Sequence, residues 1–134
     1  MGTIYVAKSN RLGKWGSDVG VSKHLYKIGY SEAPVKALVE AGWAGESDWA
    51  LVKKETAEGI DEEAMLARLA QKEKMIDPDL YPKLKGARGI FKVPPTHVED
   101  HIVVSRAMAG YELFAPPTLK PADFALYLIH NALK

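Results

Sequence analysis

The chain has 134 residues, of which 47% are hydrophobic and 26% charged, with no cysteine and a formal net charge of +1. That length sits at the modal size of one domain and can bury roughly 70% of the surface its unfolded chain exposes. The missing cysteines exclude disulfides and thiolate metal sites, the small net charge argues against binding polyanions by bulk charge, and no apolar run approaches the ~20 residues of a membrane span.

No signal peptide is expected, because Met1-Gly2-Thr3-Ile4-Tyr5-Val6 lacks a basic region before an apolar stretch, and Val6 stands where a myristoylation signal wants Ser or Thr. A cytoplasmic, intracellular protein without membrane partners is the expectation. Charge is segregated along the chain. Residues 1–36 carry six Lys/Arg against two Asp/Glu, residues 37–80 five against eleven, and residues 81–134 seven against four, for nets of +4, −6 and +3. A basic first third can form a phosphate-facing patch, or the segregation can belong to an ordinary solvated surface.

In chain order, Thr3–Ala7 reads as a strand rich in β-branched and aromatic residues. Lys8 to His24 reads as a long loop punctuated by Gly13, Gly16 and Gly20. Leu25–Tyr30 reads as a second strand, forming a hairpin with the first. Ser31 is the expected N-cap of a helix that accepts Pro34 in its first turn, carries Val35, Leu38 and Val39 as one apolar stripe, and stops at Gly42. Asp48–Thr56 alternates as a third strand. Asp61 is the expected cap of a helix burying Met65, Leu66, Leu69 and reaching toward Met75 or Ile76 before Asp77-Pro78. Gly86 to Gly89 turns into a short strand, Ile90–Val93. Thr96-His97-Val98-Glu99 has the form of a capping box, for a helix burying Val98, Ile102, Val103 and Met108. A last helix over Ala122–Leu133 is apolar on most sides and expected to pack inward.

The order strand, loop, strand, helix, strand, helix, with Thr3-Ile4-Tyr5-Val6 in the first strand and Tyr26-Lys27-Ile28-Gly29-Tyr30-Ser31 in the second, resembles the GIY-YIG nuclease superfamily, in particular its small phage and bacterial branch with a KIG second motif. Glu62-Glu63-Ala64-Met65-Leu66 and Gly86-Ala87-Arg88-Gly89-Ile90-Phe91 fall where that branch has a helical Glu and a late Gly-to-Phe strand. The resemblance covers about residues 3–93. It implies divalent-metal-dependent hydrolysis of DNA phosphodiesters, with a Tyr as base toward water, a second position and an Arg on the first helix at the phosphate, and a helical Glu on one Mg²⁺ or Mn²⁺. Carried over, Tyr5 stands at the base and Lys27 at the second position. Glu63 best fits the metal ligand, because Leu66 follows it by three, with Glu62 nearly as good in register. The Arg position is Ala37, so the cation falls to Lys36 one residue away or to a loop residue.

Other cations have readings of their own. Arg11, Lys14, Lys23 and Arg88 are candidate DNA-phosphate contacts, with Trp15 stacking on a base; the alternative is a solvated loop whose indole packs on the sheet. His97 and His101 have the spacing of paired metal ligands but lack the Glu after the first His, and read as structural. No Walker loop or serine elbow is present.

The expectation is therefore one α+β domain over residues 1–134. Its core, residues 3–93, is a small GIY-YIG-like three-stranded, mostly antiparallel sheet flanked by helices, and residues 94–134 are a helical C-terminal extension. The leading function is endonucleolytic cleavage of DNA. The alternative is a catalytically degenerate domain that binds nucleic acid or a protein, such as a small phage-type inhibitor contacting its partner through the acidic middle or residues 111–134. Convergence of the Tyr5 hydroxyl and a carboxylate separates the two.

Overall fold

Five strands carry the fold: β1 (Gly2–Lys8), β2 (Leu25–Ser31), β3 (Ala50–Ala57), β4 (Lys74–Met75) and β5 (Ile90–Lys92). In the computed structural model, which describes residues 2–110 and 119–133, they form one antiparallel sheet in the order β3-β1-β2-β5-β4. The α+β class stands, and the three-stranded sheet is corrected to five strands. Ile90–Lys92 pairs with β2, and Lys74–Met75 pairs outside it. Helices α1 (Asn10–Asp18), α2 (Val35–Ala41), α3 (Glu62–Leu69), α4 (Pro95–Met108) and α5 (Pro121–Leu133) surround the sheet. No helix of the described residues is long and apolar enough to cross a membrane.

Residues paired across antiparallel strands point to the same face, so register sorts the core into two. Ile4 and Val6 of β1, Tyr26 and Ile28 of β2 and Phe91 of β5 face one side, buried with Met65, Leu66 and Leu69 of α3 and Phe124, Ala125, Leu128 and Ile129 of α5. Helix α5 thus shares the main core with the strands, and residues 111–118 and 134 of the suggested C-terminal contact surface lie outside the described residues. On the other side, Ala7, Leu25 and Ile90 are buried against Leu12 of α1, Ala44, Trp49, Ile76 and Leu84.

The stretch expected as a loop after β1 is helical. Ser9 caps α1, its hydroxyl accepting from the Leu12 N–H at 3.1 Å and donating to Asp48, whose other oxygen accepts from the Arg11 N–H at 3.0 Å. The glycines that read as loop punctuation serve a different purpose. A Cβ on Gly16 would lie 2.1 Å from the Ser22 carbonyl oxygen and 2.8 Å from Leu25 Cδ1. The chain returning toward β2 packs directly on the helix backbone there, which only glycine permits.

Other differences are local. The Ser31 hydroxyl accepts from the Ala33 N–H in a turn, and Pro34 stands at the cap of α2. Helix α3 ends at Leu69 instead of running to Met75, because pairing Met75 with Phe91 extends the sheet. Pro94 caps α4 without a side-chain bond, so the Thr96 capping box does not form; Pro95, with its fixed φ, starts the helix two residues earlier than that cap implies. Val98 is buried as expected, but Val103 is 38% and Met108 85% exposed, because α4 packs chiefly on α5.

Gly16→Ala should lower stability by roughly 1–3 kcal/mol, the typical cost of forcing atoms into a filled space. Urea denaturation measures it. An unchanged midpoint would mean the chain does not return this close to α1.

Candidate functional site

Tyr5 lies in the middle of β1, opposite Gly29 of β2. A Cβ on Gly29 would lie 2.5 Å from the Tyr5 hydroxyl oxygen and 3.1 Å from Glu62 Oε2, so phenol and carboxylate meet over the one residue without a side chain. Glu62 is brought there by the sheet itself. The last β2–β5 bond runs from the Ile28 N–H to the Gly89 carbonyl, 2.9 Å, and β5 does not extend further along β2. The next N–H on that edge, Tyr30, donates instead to Glu62 Oε2 at 2.8 Å, from the first residue of α3.

Lys27 points to the same face, two residues before Gly29, and is only 5% exposed. Its Nζ donates to the Ile28 carbonyl at 3.1 Å and lies 5.7 Å from the Tyr5 ring centroid and 5.5 Å from that of Trp43. Trp43 stacks on Tyr5 with centroids 5.9 Å apart and planes 17° from parallel. It belongs to the loop between α2 and β3, where Ala44 and its flanking glycines Gly42 and Gly45 all have positive φ. That loop is tied down by the Trp49 indole donating to the Trp43 carbonyl at 2.9 Å and by a Glu46–Lys83 ion pair.

Burial, then the negative charge of Glu62, pushes the Tyr5 phenol up to about 12. Burial brings the Lys27 ammonium down to about 8, against the pull of Glu62. At neutral pH the site therefore holds a neutral phenol, a buried cation partly stabilised by two aromatic faces, and a carboxylate. The phenol can hand on a hydrogen bond, the ammonium can meet an anionic oxygen, and the carboxylate can accept a proton or hold a cation.

No family model, curated protein or solved structure matches the chain.

The site residues expected from sequence divide into two groups. Tyr5, Lys27 and Glu62 come together. Glu63 turns outward and pairs with Arg88 at 3.0 Å, both side chains more than half exposed, an exposed pair that contributes little to stability. Lys36 and Ala37 are exposed on α2. Lys54, unnoticed in the sequence, lies opposite Tyr5 across β1 and β3 and adds an exposed cation to that face. Trp43 was also missed; its only sequence signal is an aromatic set among glycines just past a helix end. Trp15 is half-buried and meets Tyr81 edge-on at 5.7 Å, which is packing geometry. Lys14 and Lys23 line a groove at the far end of β1, while Arg11 is exposed on the first turn of α1 beside Asp48. His97 Nδ1 lies 2.7 Å from the buried Glu73, which also accepts from the Tyr127 hydroxyl. His101 packs between Tyr127 and His130.

Of the two acidic candidates, Glu62 is the one that faces the site and would hold the divalent cation the resemblance implies. Among the described residues no group of three or more His, Asp or Glu side chains is arranged to hold one. One Glu62 oxygen is taken by the Tyr30 N–H, leaving the other for a ligand. A single carboxylate fits Mg²⁺ or Mn²⁺ that keeps several waters and takes its remaining ligands from a substrate phosphate.

Lys27 gives a pH signature. Its folded value of about 8 lies below the ordinary lysine value of 10.5, so between these limits the unfolded chain binds more protons and stability rises with pH. Above about 10, unfolded tyrosines ionise while Tyr5 and Tyr26 stay protonated to about 12, which reverses the trend. Between pH 8 and 10 the wild type should gain about 1 kcal/mol per unit relative to Lys27→Met. Parallel curves for the two proteins in urea titrations would place the ammonium in water.

Proposed function

We propose that the chain is a GIY-YIG-like domain that hydrolyses phosphodiester bonds in DNA by attack of water. The observation that carries this reading is the meeting of the Tyr5 hydroxyl and the Glu62 carboxylate over Gly29, with Lys27 beside them. A phosphodiester seated there would place one nonbridging oxygen toward Lys27, with Lys54, opposite Tyr5 on β3, as a second cation on that face. Water, held by Tyr5, attacks phosphorus and the P–O bond to the leaving oxygen breaks; the water proton passes to Tyr5 in its phenolate form, and the leaving oxygen takes a proton from solvent. A cation on Glu62 would draw charge from the phosphate and make the bound water more acidic.

The second reading, a domain that binds nucleic acid without cutting, draws support from two features. Trp43 covers Tyr5, which is 3% exposed, and the phenol is a scarce base at neutral pH. Both features predict slow cleavage.

The test is plasmid and oligonucleotide cleavage with Mg²⁺ or Mn²⁺. Glu62→Gln should abolish activity, while Glu63→Gln should change it less than about threefold, the two being separated by where their side chains point. Ala37→Arg should raise activity tenfold or more, which needs about 1.4 kcal/mol of added transition-state stabilisation. Absence of cleavage in both wild type and Ala37→Arg, with retained DNA binding, would leave the second reading.

The pH profile follows from the two titrations. The phenolate fraction grows tenfold per pH unit up to about 12, and the charged fraction of Lys27 falls tenfold per unit above about 8. The rate should rise with unit slope to about pH 8 and then level off. Lys27→Arg, which keeps its charge, should extend the rise beyond 8. An inactive but folded Lys27→Arg would assign the base to Lys27.

A further inference from the structure

Lys8, Lys14 and Lys23 come from three separate stretches: the end of β1, the body of α1 and the segment before β2. They line one groove of about 490 Å³ together with Ser17 and His24, and Asp18 is the one carboxylate in its wall among the described residues. Among the described residues none of the three lysines has an ion-pair partner. One wall is rigid. His24 stacks on Phe124 with centroids 5.4 Å apart, Phe124 stacks on the buried Tyr26 at 5.1 Å, and Lys8 Nζ sits 5.6 Å from the Tyr26 ring centroid.

We infer that this groove binds the phosphodiester backbone of a nucleic-acid strand.

Three observations favour a backbone over a single phosphate or a base. The groove is open, and its cations are spread along it on separate elements. The N–H groups at the start of α1 that would cradle one phosphate are already engaged, Leu12 by Ser9 and Arg11 by Asp48. Trp15, the indole of α1, is turned edge-on to Tyr81 and offers no free stacking platform. Recognition is left to lysine charge, which reads the backbone and ignores sequence. Burial, then Lys23 and Lys8, holds His24 below its usual value, so the imidazole lies within reach of two of the three lysine charges. Lys8 follows Tyr5 by three residues, so it lies roughly 10 Å further along β1 and on the opposite face of the sheet, on the side of Tyr26.

The inference takes DNA from the reading above, but its test is binding alone, so it can fail or stand apart from cleavage. Labelled single-stranded and duplex oligonucleotides are titrated by anisotropy between 50 and 200 mM salt, a range chosen at roughly the scale where counterion release is steep. Lys8→Gln/Lys14→Gln/Lys23→Gln should reduce the log–log salt slope by about 2–3 and weaken binding at least tenfold. The equal-charge control Lys72→Gln/Lys85→Gln/Lys120→Gln should change the slope by less than about 1. If the first triple variant unfolds, Lys14→Gln/Lys23→Gln, both exposed, should still lower the slope by more than about 1. In NMR titrations the His24 imidazole pKa should rise on saturation with oligonucleotide. Equal slopes in the two triple variants, or a His24 titration unmoved by oligonucleotide, would overturn the inference. So would a response to inorganic phosphate as large as that to oligonucleotide. Loss of cleavage in Glu62→Gln with unchanged binding leaves it standing.

Discussion

The bond between the Tyr30 N–H and the Glu62 carboxylate is the constraint on which the arrangement of this protein turns. Strand β2 is paired with β1 from Lys27 to Ser31, but its other edge loses β5 after Ile28. A half-buried amide left there without a partner would cost on the order of 1–3 kcal/mol. Glu62 removes that cost and in doing so fixes the start of α3 against the sheet, which brings Met65, Leu66 and Leu69 onto the main core. The same carboxylate raises Tyr5 and supports the charge of Lys27. One side chain therefore completes a strand edge, docks a helix, and adds to the effect of burial at Tyr5 while opposing it at Lys27. Gly29 is the geometric condition for all three, because any side chain there would displace the phenol from the carboxylate.

The second constraint is the loop between α2 and β3, which connects the two ends of the molecule. At one end Trp43 lies on Tyr5 and beside Lys27; at the other Asp48 accepts from the Ser9 hydroxyl and the Arg11 N–H, fixing the first turn of α1. Burial opposes ionisation of Asp48, but these bonds, joined by the Arg11 charge, outweigh it and hold the carboxyl below its usual range. Helix α1 in turn carries Lys14 into the basic groove. Cover of the site and orientation of the groove thus share one short segment, and movement of that loop is felt at both.

What was legible in the sequence and what was not follows a physical division. Strands β1, β2, β3 and β5 and helices α2, α3 and α4 were legible from periodic patterns and end signals, and α5 from a stretch apolar on most sides. Helix α1 was not, because Gly13 and Gly16 are there for the chain that packs against them, and that contact is invisible in a linear pattern. Strand β4 is two residues long and exists only through its pairing with β5. At the site, Tyr5, Lys27 and a helical Glu could be placed from motif order. The choice between Glu62 and Glu63 could not, since it depends on where β5 leaves β2. Trp43 has no periodicity to betray it, and Lys8 and His24 gain meaning only once α1 folds back beside them.

Lys27 poses an energetic question that packing alone does not answer. A drop from 10.5 to about 8 means the folded protein penalises the ammonium by on the order of 3 kcal/mol relative to water, even with a carbonyl, two rings and Glu62 nearby. A methionine of similar length would fill the space without that penalty. An anion meeting Lys27 would recover much of it, so the energy stored in the unliganded fold would reappear as affinity. The groove at the other end of the sheet has the same character, with His24 held down by burial and by the neighbouring Lys23 and Lys8. These are two sets of incompletely compensated cations on a chain whose net charge is only +1. Charge here is concentrated by topology: the acidic middle of the sequence supplies Glu62 and Asp48 as internal clamps, and the basic first third supplies the cations left facing out or under Trp43.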